Sequence, residues 1–408
     1  MRYVFVALLS AAMPGLAFAQ PLTFEDALSR AEAAPSVQAR SLDVEARRSA
    51  AIAAGRLPDP KLGVGLDNFP VSGPPAFTYA GDSMTMARVG ISQDVPNAAK
   101  RHAQQARAQA DIAAAEANGF AEVRRVKVAT ALAWIDLYYA ERRLAAIDAV
   151  IARQNGLAVA AHSGVASGAA RPAQTLDVRQ AIAALEDKRS EAAADSARAR
   201  STLARWTGDA NPEVTGTVPD FAINPTALRE AVGQHPDLNA AIARTRQAEA
   251  DVAAARATKR PDWSFDVAYQ RRADRYGDMV SAGVTISLPL FAGKRQDPMI
   301  AASSASASAA LAEQEDMRRA LAADLQAGIA DHVMHHEQWM RSRDTLLPLA
   351  RQKVDLETAS YSAGRAGLLD VIQAQTMLAN SEIETLDREA LVARDGALLV
   401  LTYGSDRR

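Results

Sequence analysis

Between Trp263 and Leu290 the chain alternates apolar and polar residues one by one. Trp263, Phe265, Val267 and Tyr269 are separated by Ser264, Asp266 and Ala268 and followed by Gln270. After a polar turn at 271–278, Val280, Ala282, Val284, Ile286, Leu288 and Leu290 resume the pattern, with Ser281, Gly283, Thr285 and Ser287 in the intervening places. A period of two predicts a β-hairpin at about 262–291, with strands of roughly ten residues that are apolar on one face. That is the length and pattern of a membrane-crossing strand. A weaker version lies at about 61–95. There Leu62, Val64 and Leu66 alternate with Gly63, Gly65 and Asp67, and Ala87, Val89 and Ile91 with Arg88, Gly90 and Ser92, around a Pro/Gly-rich loop at 70–82. A soluble two-sided sheet would also carry such a pattern.

The rest reads as helix. It is rich in Ala, Arg, Glu, Asp and Gln, and poor in Gly and Pro over long intervals. One helix is expected from 24 to about 56, with Thr23 as its N-cap. Residues 98 to 161 hold no proline and only Gly119 and Gly156, which predicts a rod of roughly 90–100 Å. Its larger apolar residues (Val128, Leu132, Ile135, Tyr139, then Leu144, Ile147, Ile151) alternate at four and three, the spacing of a coiled coil. A break at Gly164 to Pro172 precedes another helix to about 206. Later helices are expected at about 226–259, 298 to about 362 and 368 to about 401, with Pro348 kinking the second or starting a new segment. Long helices with narrow apolar seams need lateral partners.

These elements come in the same order twice. Ala34-Pro35-Ser36-Val37 aligns with His235-Pro236-Asp237-Leu238, and Leu57-Pro58-Asp59 with Arg260-Pro261-Asp262. Lys100-Arg101 aligns with Lys294-Arg295, Leu176-Asp177-Val178 with Leu369-Asp370-Val371, and Trp206-Thr207-Gly208 with Thr402-Tyr403-Gly404. The expected organisation is a first repeat at 20–208, a linker at 209–224 and a second repeat at 225–408. A period of roughly 190 residues is too long for a solenoid unit and fits a duplicated, domain-sized piece.

Residues 1–19 read as a secretory signal peptide: Arg2, an apolar stretch from Val4 to Leu16, and Ala17-Phe18-Ala19 before the cut. The chain has no cysteine, which excludes disulfides, thiolate metal sites and lipid attachment at a cysteine. A net charge of −2 gives no bulk attraction to nucleic acid. Beyond the leader no apolar run of eighteen residues occurs, so an exported chain of this kind is either soluble or inserted as a β-barrel. Four strands cannot close a barrel, for which about eight are needed, and an open sheet in lipid leaves its edges unsatisfied. Several chains must then share one barrel, of twelve strands for three chains or sixteen for four.

The order helix, hairpin, long helix, tip, helix, stated twice, resembles the outer-membrane efflux protein (TolC) family. The resemblance covers essentially everything after residue 19. Its most specific pieces are Pro58-Asp59 and Pro261-Asp262 at the strand starts, the strand exit Ile286-Ser287-Leu288-Pro289-Leu290-Phe291-Ala292-Gly293-Lys294-Arg295, and the tip segment from Tyr361 to Val371. The stretch from Pro58 through Asn68-Phe69 resembles the heavy-metal (CzcC/CusC-like) branch. The resemblance implies a mainly α fold with a membrane β-barrel portion. In it, a homotrimer closes a twelve-stranded barrel in outer-membrane lipid, on a long coiled-coil α-barrel that crosses the periplasm. It implies a passive exit duct that docks on a periplasmic adaptor (membrane fusion) protein and an inner-membrane RND-type pump, with heavy-metal cations as cargo. The alternatives are a duct for drugs or other small organic molecules, or, from another class, a soluble periplasmic coiled-coil scaffold. No cofactor and no nucleic acid is expected.

The family's periplasmic gate is ringed by carboxylates just inside the tip helices. Asp370 matches the first such position, Gln373 stands where a second acid is usual, and Asp177 is the counterpart of Asp370 in the other repeat. An ordinary helix-capping role would also place both aspartates. Gly168, Gly364 and Arg365 would form the turns that meet the adaptor. The one histidine cluster, at 331–337, puts His332 and His336 on one helix face, where they could bind a metal or simply be solvated. Met84 and Met86 are expected on one face of a strand. No Gly-rich phosphate loop, Gly-x-Ser-x-Gly or His-Glu-x-x-His occurs, so no enzyme is expected.

Overall fold

The computed structural model of the chain describes residues 21–166 and 172–404; the expected leader at 1–19 and Gly168 lie outside them. The elements, in chain order, are β1 (Pro21–Leu22), α1 (Phe24–Ala31), α2 (Pro35–Ala53), β2 (Lys61–Asp67), β3 (Met86–Val95), α3 (Ala98–Ala166) and α4 (Pro172–Thr207). They continue with β4 (Glu213–Val214), α5 (Pro225–Ala231), a 3₁₀ turn (Val232–Gln234), α6 (Pro236–Ala257), β5 (Trp263–Arg271) and β6 (Met279–Ile286). A 3₁₀ turn (Ala292–Lys294), α7 (Gln296–Arg341), a π-helical turn (Ser342–Leu346), α8 (Leu347–Ser362) and α9 (Leu368–Tyr403) complete the chain.

Proline accounts for most of the differences from the sequence pattern. The helix expected over 24–56 is two helices, because Pro35 has no N–H to continue α1 and instead opens α2. Pro236 does the same between α5 and α6, where His235 Nδ1 accepts the Asp237 N–H at 3.2 Å. Pro348 does not end its helix. The π turn lies just before it, at the carbonyls its ring would meet, so α7 and α8 run on without a gap. β6 stops at Ile286, short of the expected Leu288 and Leu290: Pro289 lacks a donor, and the Ser287 N–H is taken by the Asp262 carbonyl at 2.9 Å. Met84 lies outside β3 in a turn, its N–H accepted by Asp82 at 3.0 Å, so it shares no strand face with Met86. The 69 residues of α3 form one helix about 100 Å long.

The chain divides into two compact units, each drawing on both halves of the sequence. One comprises 1–34, 123–230 and 324–408. Its core is built on Trp134, which is fully buried, edge-on to Phe24 at 5.5 Å and stacked on Tyr138 at 5.3 Å. The indole N–H donates to the Leu22 carbonyl at 2.9 Å, and Leu22 pairs with Val214 in the short parallel ladder of β1 and β4. Leu137, Leu203 and Ala397 close the cluster from α3, α4 and α9. Arg124 donates to the Thr402 carbonyl (2.7 Å) and the Gly404 carbonyl (3.1 Å), which satisfies orphan acceptors at the end of α9. Tyr139 donates to Glu389 at 3.1 Å; burial, then that carboxylate, push its phenol well above the ordinary range.

The other unit comprises 35–122 and 231–323 and holds the antiparallel sheet, in the order β2-β3-β5-β6. The register puts Leu62 opposite Ile91, Ile91 opposite Val267, and Val267 opposite Ala282, so one face is apolar across all four strands. That face is bare: Leu62, Val64 and Val280 are 70%, 74% and 72% exposed. The opposite face is polar and lines a depression of about 230 Å³ in which Arg88 lies 4.0 Å from both Asp67 and Asp266. One row on this face is made only of small residues: Gly63 pairs with Gly90, Gly90 with Ala268, and Ala268 with Ser281. A Cβ on Gly90 would lie 2.8 Å from that of Ala268, so the backbones approach there as only glycine allows.

At the base of β3 and β5 a polar clamp joins the two hairpins. The Asn97 backbone and amide N–H groups donate to Asp262 at 2.8 and 2.9 Å, and its amide also reaches the Ala257 and Arg260 carbonyls. Lys100 adds an ion pair to Asp262 at 3.0 Å. Burial raises the Asp262 pKa, but the donors from Asn97 and Lys100 outweigh it and hold the carboxyl below the usual range.

Candidate functional site

The candidate site lies where α8 turns into α9 and where α4 begins. Helix α8 ends in a Schellman turn: Arg365 N–H donates to the Ser360 carbonyl at 2.9 Å and Gly364 N–H to the Tyr361 carbonyl at 3.0 Å. Gly364 has φ +69°, a conformation that explains glycine there without a partner protein. Gly364 and Arg365 are both exposed. The turn leads to Gly367, whose N–H donates to the Asp370 carboxylate at 2.8 Å. Asp370 therefore caps α9 and is at the same time exposed, as is Gln373 one turn on.

Buried apolar residues flank these polar positions. Val178 of α4 packs with Leu368 and Ile372 of α9, and Ala158 of α3 with Ala181 and Ile182 of α4 pack against them. The starts of α4 and α9 are thereby held together. Asp177 is half-buried beside Val178, and no hydrogen bond joins it to Asp370 or Gln373. Further along, Arg153 ties α3 to Glu382 of α9 at 2.6 Å, Arg189 ties α4 to Asp148 of α3 at 2.6 Å, and Lys188 reaches Asn380 at 2.8 Å.

One residue here escaped the sequence reading. Gln154 is fully buried and both atoms of its amide lack a hydrogen-bond partner. On α3 it lies one turn past Val150, which packs with Leu185 and Ala379, and one turn before Ala158. A buried unpaired amide costs about 1–3 kcal/mol, which weakens the packing of α3, α4 and α9 at this layer. Its signal in the sequence is a lone polar residue in the stripe Val150, Gln154, Ala158.

The histidines divide. His335 pairs with Asp395 at 2.7 Å, while the His332 and His336 rings lie 6.1 Å apart on one face of α7. Burial, and to a lesser degree the neighbouring histidines, hold His332 below its ordinary pKa against the pull of Asp395. Among the described residues no group of three or more His, Cys, Asp or Glu stands close enough to hold a metal ion. No described helix is long and apolar enough to cross a membrane.

Long helices joined to a four-stranded sheet are an arrangement this chain shares with solved outer-membrane channel proteins. The chain superposes on a membrane protein from Pseudomonas aeruginosa with a TM-score of 0.82, at 18% identity, over 94% of this chain and 90% of that one. It superposes on the CmeC outer membrane channel of Campylobacter jejuni with a TM-score of 0.79, at 12% identity, over 93% and 85%. Residues 227–405 match the family described as outer membrane efflux protein. It is also 26% identical over 234 residues to the cobalt-zinc-cadmium resistance protein CzcC of Cupriavidus metallidurans; the match takes in 56% of this chain and 56% of that relative. The family match is confined to residues 227–405, while the likeness along nearly the whole chain is one of fold. The fold of the chain is that of solved outer-membrane channel proteins.

Proposed function

We propose that the chain is the outer-membrane duct of an efflux system, passively conducting small solutes delivered by an inner-membrane pump of RND type through a periplasmic adaptor. Three copies supply four strands each to a twelve-stranded barrel, after removal of a leader at 1–19. The observation that carries this reading is the sheet: apolar and exposed on one face, polar on the other, with β2 and β6 free at its edges. In lipid those edges must be paired. Detergent-dependent extraction from outer membranes as a heat-labile trimer is expected; recovery as a soluble monomer would sink the proposal.

The gate in this reading is the tip. Three copies of Asp370, with Gln373 beside it and Asp177 from α4, surround the periplasmic entrance and attract cations. The turn at Gly364 and Arg365, and Gly168 in the first repeat, meet the adaptor. Asp370→Ala is expected to raise conductance or loosen cation preference in planar bilayers, and unchanged current with unchanged selectivity removes Asp370 from the gate.

The cargo is best read as small organic molecules. The fold of the CmeC channel is shared over 93% of the chain, whereas the metal-resistance relative matches little more than half of it. Heavy-metal cations are the second reading, favoured by the likeness to a cobalt-zinc-cadmium resistance protein over about half the chain. Growth of a deletion strain on a panel of drugs and metal salts separates them, since sensitivity confined to metals favours the second.

A further inference from the structure

The polar face of the sheet carries Lys61 and Asp67 on β2, Arg88 and Asp94 on β3, and Asp266 on β5. Two of these charges are settled: Lys61 donates to Asp94 at 2.7 Å, and the pair is neutral. The other three are not. Arg88 stands 4.0 Å from Asp67 through one guanidinium nitrogen and 4.0 Å from Asp266 through another, too far for a hydrogen bond to either. Its guanidinium makes no hydrogen bond among the described residues, so its N–H donors are unused. The register gives the arm its room. Gly65 lies opposite Arg88, and Gly63 pairs with Gly90 in the next row, so the side chain crosses to Asp266 over bare backbone. Asp266, by contrast, is laid against β6, where a Cβ on Gly283 would come within 2.5 Å of its Oδ1.

We infer that Arg88 sets the charge preference of the proposed barrel, as a movable counter-ion that masks one of the two carboxylates it stands between and leaves the bore attractive to cationic solutes. The inference rests on the channel proposed above, in which the polar face lines the bore, and names the class of solute that this wall favours. Two cations against three carboxylates leave a charge of −1 per chain, and that charge falls on Asp67 and Asp266 because Lys61 and Asp94 cancel. Opposite charges about 4 Å apart in water attract by only about twice the thermal energy, so a passing amine can take one carboxylate while Arg88 keeps the other. One contact is exchanged for another, which lets a solute enter and leave without falling into a deep well. An anion reaches Arg88 only between two carboxylates that repel it. These residues stand on other elements than the tip, so their effect is separable from that of Asp370.

Reversal potentials across planar bilayers in a potassium chloride gradient test this on the full-length channel, with each variant also made in an Asp370→Ala background so that the tip does not hide the barrel. Arg88→Gln removes the mask and is expected to raise the potassium-to-chloride permeability ratio several-fold. Adding Asp266→Asn restores the charge count and is expected to bring the ratio back towards the wild-type value. A purely structural role for Arg88 would not be repaired by removing a second charge. Arg88→Lys keeps the mask and is expected to give a ratio between those of Arg88→Gln and the wild type, closer to the latter. Asp266→Asn alone, which hardly changes shape, is expected to lower the ratio and decides the matter should Arg88→Gln not assemble. An unchanged ratio in Arg88→Gln, no return in the double variant, or an unchanged ratio in Asp266→Asn overturns the inference and leaves the channel standing. A wild-type protein that forms no channel overturns both.

Discussion

The core around Trp134 and the sheet around Val267 are both rich in aromatic and branched residues, yet their fates are opposite. Trp134, Leu137 and Leu203 are fully buried, whereas Trp263, Phe265, Val267 and Tyr269 stand 41–56% exposed on one side of the sheet. Hydropathy alone does not separate them. The backbone does. Helices satisfy their own N–H and C=O groups and can meet face to face within the chain, as α1, α3, α4 and α9 do around Trp134. Among the described residues nothing covers the apolar face of the sheet, and in the proposed channel that face meets lipid.

This contrast can be broken at several points. Trp134→Ala removes a buried indole and leaves the Leu22 carbonyl short of a donor, so a loss of about 3–5 kcal/mol is expected in urea unfolding. Val267→Lys, on the bare face, is expected to cost about 2–4 kcal/mol in folding into lipid vesicles and almost nothing in detergent-free solution. Equal, small effects in both media would mean that the face meets water. Asp262→Asn tests the clamp and is expected to cost about 1–2 kcal/mol at neutral pH. Because the folded pKa of Asp262 lies below its unfolded value near 4, the native contribution is present above about pH 4 and fades as pH falls through the folded value, so wild type and variant should converge in acid. Gln154→Leu replaces the unpaired amide with a side chain of similar volume; a gain of about 1 kcal/mol and less frequent opening in bilayer recordings are expected. Gly364→Ala places a Cβ at φ +69° and should cost about 1 kcal/mol without altering the unfolded baseline.

The hairpins were legible because period two survives in a single sequence: the apolar face from Leu62 to Ile286 can be read without knowing which strand pairs with which. The long helices were legible from composition, but the starts at Pro35 and Pro236 were read through, since the surrounding alanines pull the pattern across them. The Trp134 core was not legible. It depends on β1 and β4, two residues each, whose pairing joins positions far apart in the chain. At the tip, Asp370 and Gln373 were visible as motif residues, whereas Gln154 acquires meaning only once α4 and α9 bury it. Asn97 was missed for a similar reason, for its partner Asp262 lies 165 residues away. The Asp262 side of that clamp was visible as Pro261-Asp262, but nothing local marks its donor.

The row Gly63, Gly90, Ala268 and Ser281 has a consequence for traffic. In the proposed barrel the wall at that level would consist of peptide groups and the shortest side chains, with the Arg88–Asp266 ion pair spanning it. Charged residues stand on either side of it, Arg88 and Asp67 towards one rim and Asp266, Lys61 and Asp94 towards the other, and Arg88 reaches across the row to Asp266. A solute in that barrel would therefore meet a layer of small side chains that a single ion pair bridges, rather than a charge-free stretch.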